Sequence, residues 1–157
     1  MLGGNTMFFD RKITFFDLEV KNRQDALQTM GESLFAADLV TADFNKGVLE
    51  REETFPTGLA VQPYGVAIPH TDADKVISPQ IAFASLKKPV KFRIMGNRKE
   101  EIDVSLIFML AIKKAEDQLT MLQRLMEIFQ NGSILTELAG CKNKEELDGI
   151  LKKVGLE

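Results

Sequence analysis

Residues 103–112 read DVSLIFMLAI, and this stretch decides the fold. Apart from Asp103 and Ser105 it is apolar on both faces. A strand that faces water on one side alternates apolar with polar residues, so this one is expected near the middle of a sheet covered on both sides. The apolar run is about half the length a membrane-spanning helix needs. Downstream, Leu119, Leu122, Leu125, Met126 and Phe129 describe an amphipathic helix that Gly132 can end. Asn143 and Glu146 then form a capping pair for a terminal helix buried through Leu147, Ile150, Leu151 and Val154.

Upstream, short extended segments are expected at residues 59–61, 65–68, 81–86 and 90–92, punctuated by Pro63, Pro69, Pro79 and Pro89. Residues 13–20 (ITFFDLEV) have the β-branched and aromatic density of a strand. Asn22 can cap the following helix, with Asp25 at its third position, and Leu27, Met30, Leu34 and Ala37 share one face. Thr41 can cap a second helix with the stripe Phe44, Val48; Arg51 is the next position expected on that line. Pro56 ends this helix, and Gly58 allows a turn. Helices before, between and after strands predict a single layered α/β domain over residues 1–157, a mixed β-sheet flanked by helices on both faces.

Composition narrows the function. Of 157 residues, 45% are apolar and 27% charged, a globular balance. The net charge of −3 argues against nucleic acid as a partner, which usually requires clustered basic excess. Cys141 is the sole cysteine, so no disulfide forms within the chain; with no acidic or histidine neighbour it reads as a small buried residue. Met1-Leu2-Gly3-Gly4-Asn5 lacks the basic stretch and apolar core of a secretion signal, and a cytoplasmic protein without direct membrane insertion is expected.

The chemistry concentrates in Gly65-Val66-Ala67-Ile68-Pro69-His70. Pro69 removes a backbone donor and holds Ile68 extended, so the strand stops and His70 stands at its carboxyl end. In open α/β sheets that edge is where ligands and catalytic groups gather. A neutral imidazole keeps one free lone pair, which can attack phosphorus. The other nitrogen is expected to donate to a nearby backbone carbonyl. Position alone also suits a loop histidine with no task.

Arg51-Glu52-Glu53-Thr54-Phe55-Pro56-Thr57-Gly58-Leu59, followed by Gly65 to His70, resembles the IIA component of the bacterial phosphoenolpyruvate-dependent sugar phosphotransferase system. The resemblance is to the fructose–mannitol class and most of all to its galactitol-type branch. It implies a type 2 IIA domain with a mixed sheet. It further implies that His70 takes phosphate from phospho-HPr and passes it to a cysteine of a IIB component, with a membrane IIC component acting downstream. On the same resemblance Arg51 steadies the phosphoryl group, and Thr57 lies in the neighbouring hydroxyl-bearing segment. A guanidinium suits that role because it offers paired donors and a permanent charge. Without the resemblance Arg51 reads first as a helix-terminal cation or a surface ion pair with a glutamate, and Thr57 equally as a turn residue.

Two departures stand out. Thr71 follows the histidine where relatives carry a small residue, with Asp72 and Asp74 beyond it in what reads as a solvated loop. Some relatives carry a second histidine near the helix after the long strand; here Gln118 stands in that place. It could donate a hydrogen bond to phosphate or simply face water. No cofactor or metal is implied, and one histidine without cysteine partners makes a poor zinc site. An apolar patch is expected around His70, since two partners must dock there. A regulatory phosphohistidine module of the same fold is the main alternative. A nucleotide-binding domain fits poorly, because both the G-x-G-x-x-G and the G-x-x-x-x-G-K-[ST] loops are absent.

Overall fold

The structure, a computed structural model describing residues 8–156, opens with strand β1 (Thr14–Leu18) and helices α1 (Arg23–Ala36) and α2 (Phe44–Thr54). Short strands β2 (Gly58–Leu59) and β3 (Gly65–Ala67) precede a long hairpin, β4 (Gln80–Ile94) and β5 (Asn97–Ala111). Helices α3 (Ala115–Ile128), α4 (Gly132–Gly140) and α5 (Lys144–Lys153) follow. The stretch Met1 to Asn5, read above for a secretion signal, lies outside the described residues.

The sheet is mixed, as expected. β4 pairs antiparallel with β5 and parallel with β1, while β3 runs parallel to β5. β2 pairs antiparallel with β3 and meets β4 at Ile94, so β4, β5, β3 and β2 close on themselves at the hairpin's far end. The doubly apolar strand divides two cores. Leu106, Phe108, Leu110 and Ile112 face Met121, Leu125, Phe129, Leu135 and Leu151 from α3 to α5. Ile107, Met109 and Ala111 face Leu27, Met30, Leu34, Phe44 and Val48 from α1 and α2. Each fully buried side chain of this kind contributes about 1.5–3 kcal/mol. Phe83, Phe108 and Phe129 form a ladder of tilted and edge-on rings with centroids 5.1 and 5.3 Å apart, a favoured aromatic geometry.

Caps at both ends of the chain match expectation. Asn22 accepts from the Asp25 N–H at 2.8 Å, and Asp25 returns the contact to the Lys21 N–H at 2.9 Å. Asn143 accepts from the Glu146 N–H at 2.9 Å, and Glu146 accepts from the Lys142 N–H at 2.8 Å.

Five readings need correction. The segments at 81–86 and 90–92 form one strand, because the register slips between Ser85 and Val90 and Pro89 sits in that irregularity, where no ladder donor is needed. The last strand starts at Asn97; its first five residues, NRKEE, carry no apolar pattern but pair with β4 through a turn in which Gly96 takes φ +82°. α3 buries Met121 and Leu125, with Phe129 capping it. Leu119 and Met126 point outward, since neither lies on the line of fours through Met121. Gly132 opens the additional helix α4, capped by the Asn131 side chain. Thr41 is not the cap of α2, which starts at Phe44; its hydroxyl goes to the Asp43 carboxylate instead.

Candidate functional site at the carboxyl edge of the sheet

β3 and β5 run parallel, so their carboxyl ends meet at one edge and bring together two segments far apart in sequence. His70 leaves the end of β3, and α3 with Gln118 follows the end of β5. The Pro69 carbonyl still accepts from the Leu110 N–H at 2.9 Å, so His70 begins where pairing stops.

His70 is 7% exposed. Its Nδ1 lies 2.9 Å from the Ile68 carbonyl, which can only accept, so Nδ1 carries the proton. Nε2 is left as the lone-pair nitrogen, with no hydrogen-bond partner among the described residues. Burial and, after it, the nearby Arg51 charge lower the His70 pKa from 6.5, while the Ile68 bond pulls the other way. The ring is therefore neutral and held in one orientation, with its lone pair on Nε2.

Arg51 stands in the last turn of α2, its guanidinium 5.3 Å from the Phe55 ring centroid in a cation–π contact. Its Nε is buried and has no partner among the described residues. A donor left unpaired inside a protein calls for an acceptor, and an anion beside His70 would supply one. Gln118 is half-buried, and its Oε1 is likewise buried without a partner. Turning the amide over would present its NH2 group to the same edge. Thr57 is buried and already engaged: its N–H and hydroxyl donate to the two Glu52 oxygens at 2.8 and 2.9 Å. Its hydroxyl proton is thus directed away from any phosphate.

Sequence reasoning passed over Glu52. The line Phe44, Val48 continues four residues on to Glu52, which is buried, and Arg51 lies beside it. Strict counting by fours would have found it. Thr71, the departure after the histidine, is accommodated by a glycine on α2: a Cβ at Gly47 would lie 2.7 Å from the Thr71 hydroxyl. Asp72 and Asp74 are exposed in a short 3-10 turn, as the solvated-loop reading expected. Cys141 is buried, and burial pushes its thiol up to about 11, so it stays protonated. No helix among the described residues is long and apolar enough to cross a membrane.

The chain is similar to proteins of known name and fold. The transcriptional regulator ManR of Bacillus subtilis is 31% identical over 137 residues, 87% of this chain, although the chain spans only 18% of ManR. The galactitol-specific EIIA component of Escherichia coli K12 is 26% identical over 132 residues, 84% of each chain. The solved complex of enzyme IIAMTL and phosphorylated enzyme IIBMTL from E. coli superposes with a TM-score of 0.75 over 90% of this chain and 94% of that one, at 19% identity, which speaks to the fold. The sequence profile described as phosphoenolpyruvate-dependent sugar phosphotransferase system, EIIA 2, matches residues 7–154, and the chain belongs to that family.

Proposed function

We propose that this protein is a cytoplasmic phosphoryl carrier of a sugar phosphotransferase system. It takes phosphate from phospho-HPr on His70 and gives it to a cysteine of a IIB component, serving the uptake of a sugar or sugar alcohol through a membrane IIC component. The observation that carries this reading is the 2.9 Å contact of His70 Nδ1 with Ile68 O, which leaves Nε2 free beside the Arg51 charge. The Nε2 lone pair forms a bond to phosphorus as the donor's P–N bond breaks and its electron pair returns to the donor imidazole. Arg51 holds the equatorial oxygens and offsets their charge, the main task of a protein in phosphoryl transfer. Attack by the acceptor thiolate then breaks the Nε2–P bond and restores neutral His70. Gln118 joins Arg51 as a phosphate contact; Thr57 reaches the phosphate only if it releases Glu52.

Docking partners need apolar ground. Phe55 is 61% exposed beside Arg51, Ile77 51% exposed in the loop after His70, and Leu119 58% exposed next to Gln118. These exposed apolar side chains, on segments that lead to and from the site, support the docking reading. The galactitol-specific relative supports a polyol as the transported compound.

The similarity to ManR favours a second reading, in which phosphorylation of His70 changes the binding of a regulatory partner. One experiment tests both. The chain is incubated with phospho-HPr, then with a galactitol-type IIB protein. Acid-labile label on the wild type, absent from His70→Ala, and its rapid loss to the IIB cysteine are expected of a transport carrier. Stable label in the presence of IIB supports regulation, and undiminished label on His70→Ala removes His70 from the mechanism.

A further inference from the structure

Glu52 is 3% exposed and has no part in the transfer step, yet it follows Arg51 directly. A buried carboxyl is costly unless its oxygens are well used, and both are spent on one residue. Thr57 donates its N–H to one oxygen at 2.8 Å and its hydroxyl to the other at 2.9 Å. These bonds close the loop through Phe55 and Pro56, where α2 hands over to β2. From there the connections continue to the active ring. The Thr57 carbonyl accepts from the Ile68 N–H at 3.3 Å, and the Ile68 carbonyl accepts from His70 Nδ1 at 2.9 Å.

The charged groups facing Glu52 do not replace this connection. Arg23 of α1 reaches it only through longer-range attraction, because its guanidinium is held 3.3 Å from both Glu53 and Glu101. Glu53, the neighbour on α2, repels it.

We propose that Glu52 is a positioning residue which, through Thr57, clamps the Arg51 end of α2 in register with the strand that carries His70. The inference rests on the phosphoryl-carrier reading and adds what holds cation and nucleophile together. In-line transfer is sensitive to placement: a displacement of about 1 Å can cost about 100-fold in rate.

Three substitutions separate a clamp from mere packing. Glu52→Gln keeps both contacts, since its oxygen accepts from the Thr57 N–H and its NH2 donates to the Thr57 hydroxyl. Glu52→Leu fills the same space without hydrogen bonds, and Glu52→Ala empties it. Phosphorylation by phospho-HPr is expected to slow about 10- to 100-fold in Glu52→Leu and Glu52→Ala, and to stay near wild type in Glu52→Gln. In an Arg51→Ala background, Glu52→Leu should add little, because the residue it positions is already gone. A folded Glu52→Leu protein with the wild-type rate, or with an effect that adds fully to Arg51→Ala, overturns the clamp. If the wild-type chain takes no phosphate from phospho-HPr, the carrier reading fails, and the clamp is read from nitrogen resonances. Glu52→Leu should then shift the 15N signals of the His70 ring and Arg51 Nε in a chain whose thermal unfolding shows it folded. Unchanged signals overturn the clamp independently.

Discussion

His70 Nδ1 sits 2.9 Å from the carbonyl oxygen of Ile68, two residues earlier in the chain. Pro69 between them keeps the backbone extended, so the ring folds back onto the strand it has just left. The backbone itself thus sets which nitrogen keeps the lone pair, and no second side chain is needed for that purpose.

The ring should titrate below 6.5, the ordinary histidine value. Burial is the main cause, with Arg51 adding to it, and the Ile68 bond only partly offsets them. A group whose folded pKa is lowered contributes stability above its unfolded pKa and loses it as pH falls through 6.5 toward the folded value. A 15N titration should find the Nδ1–H tautomer with a midpoint under 6.5 and, after phosphorylation, phosphorus on Nε2. A midpoint above 6.5, or phosphate on Nδ1, contradicts the geometry.

Arg51→Ala is expected to slow phosphoryl transfer by about 2–4 kcal/mol of barrier, the scale of one lost charge-stabilising group. Arg51→Lys should recover only part of the rate, because an ammonium lacks the planar pair of donors and the same stacking on Phe55. Single-turnover kinetics measure both. Rates equal to wild type would leave Arg51 as a helix-terminal cation.

Gln118→Leu removes a buried oxygen that has no partner, and an orphan of this kind costs about 1–3 kcal/mol. The variant should melt at the same temperature or higher while taking phosphate more slowly. Loss of stability without loss of rate would show a structural role only.

Gly65 lets β3 approach β5 closely: a Cβ there would stand 2.1 Å from the Asp103 carbonyl oxygen. Gly65→Ala must push the strand outward, at about 1–3 kcal/mol in denaturant unfolding, as for other overpacked sites. His70 lies five residues on, so transfer should weaken with it.

Glu52 is expected to make folding stability fall as pH rises from about 4.5 to about 7. Burial lifts its folded pKa to about 7 against the pull of Thr57 and Arg23, so between those values the folded chain holds a proton that the unfolded chain has released. The full effect is roughly 3 kcal/mol. Glu52→Gln cannot ionise, so its stability should decline less over the same window; parallel curves for the two proteins would contradict this.

Much of the architecture was legible because local patterns carry it. Two-sided apolarity in residues 106–112 announced a covered strand, and Asn22 and Asn143 announced their helices, since a capping side chain acts within a turn of itself. What stayed hidden depended on neighbours. The polar start of β5 is a strand only because β4 pairs with it, and Leu119 faces outward because α3 rolls Met121 and Leu125 onto the sheet.

The candidate site divides the same way. The local order Ile68-Pro69-His70 determined a histidine at a strand end, because proline's restrictions reach only its immediate neighbours. Only the tertiary structure brought Gln118 to the edge where His70 stands and joined Glu52 to Thr57, and it also placed Arg51 within electrostatic reach of the ring. Those relationships arise from parallel pairing of β3 with β5 and from burial, and burial depends on which surfaces meet after the chain has closed on itself.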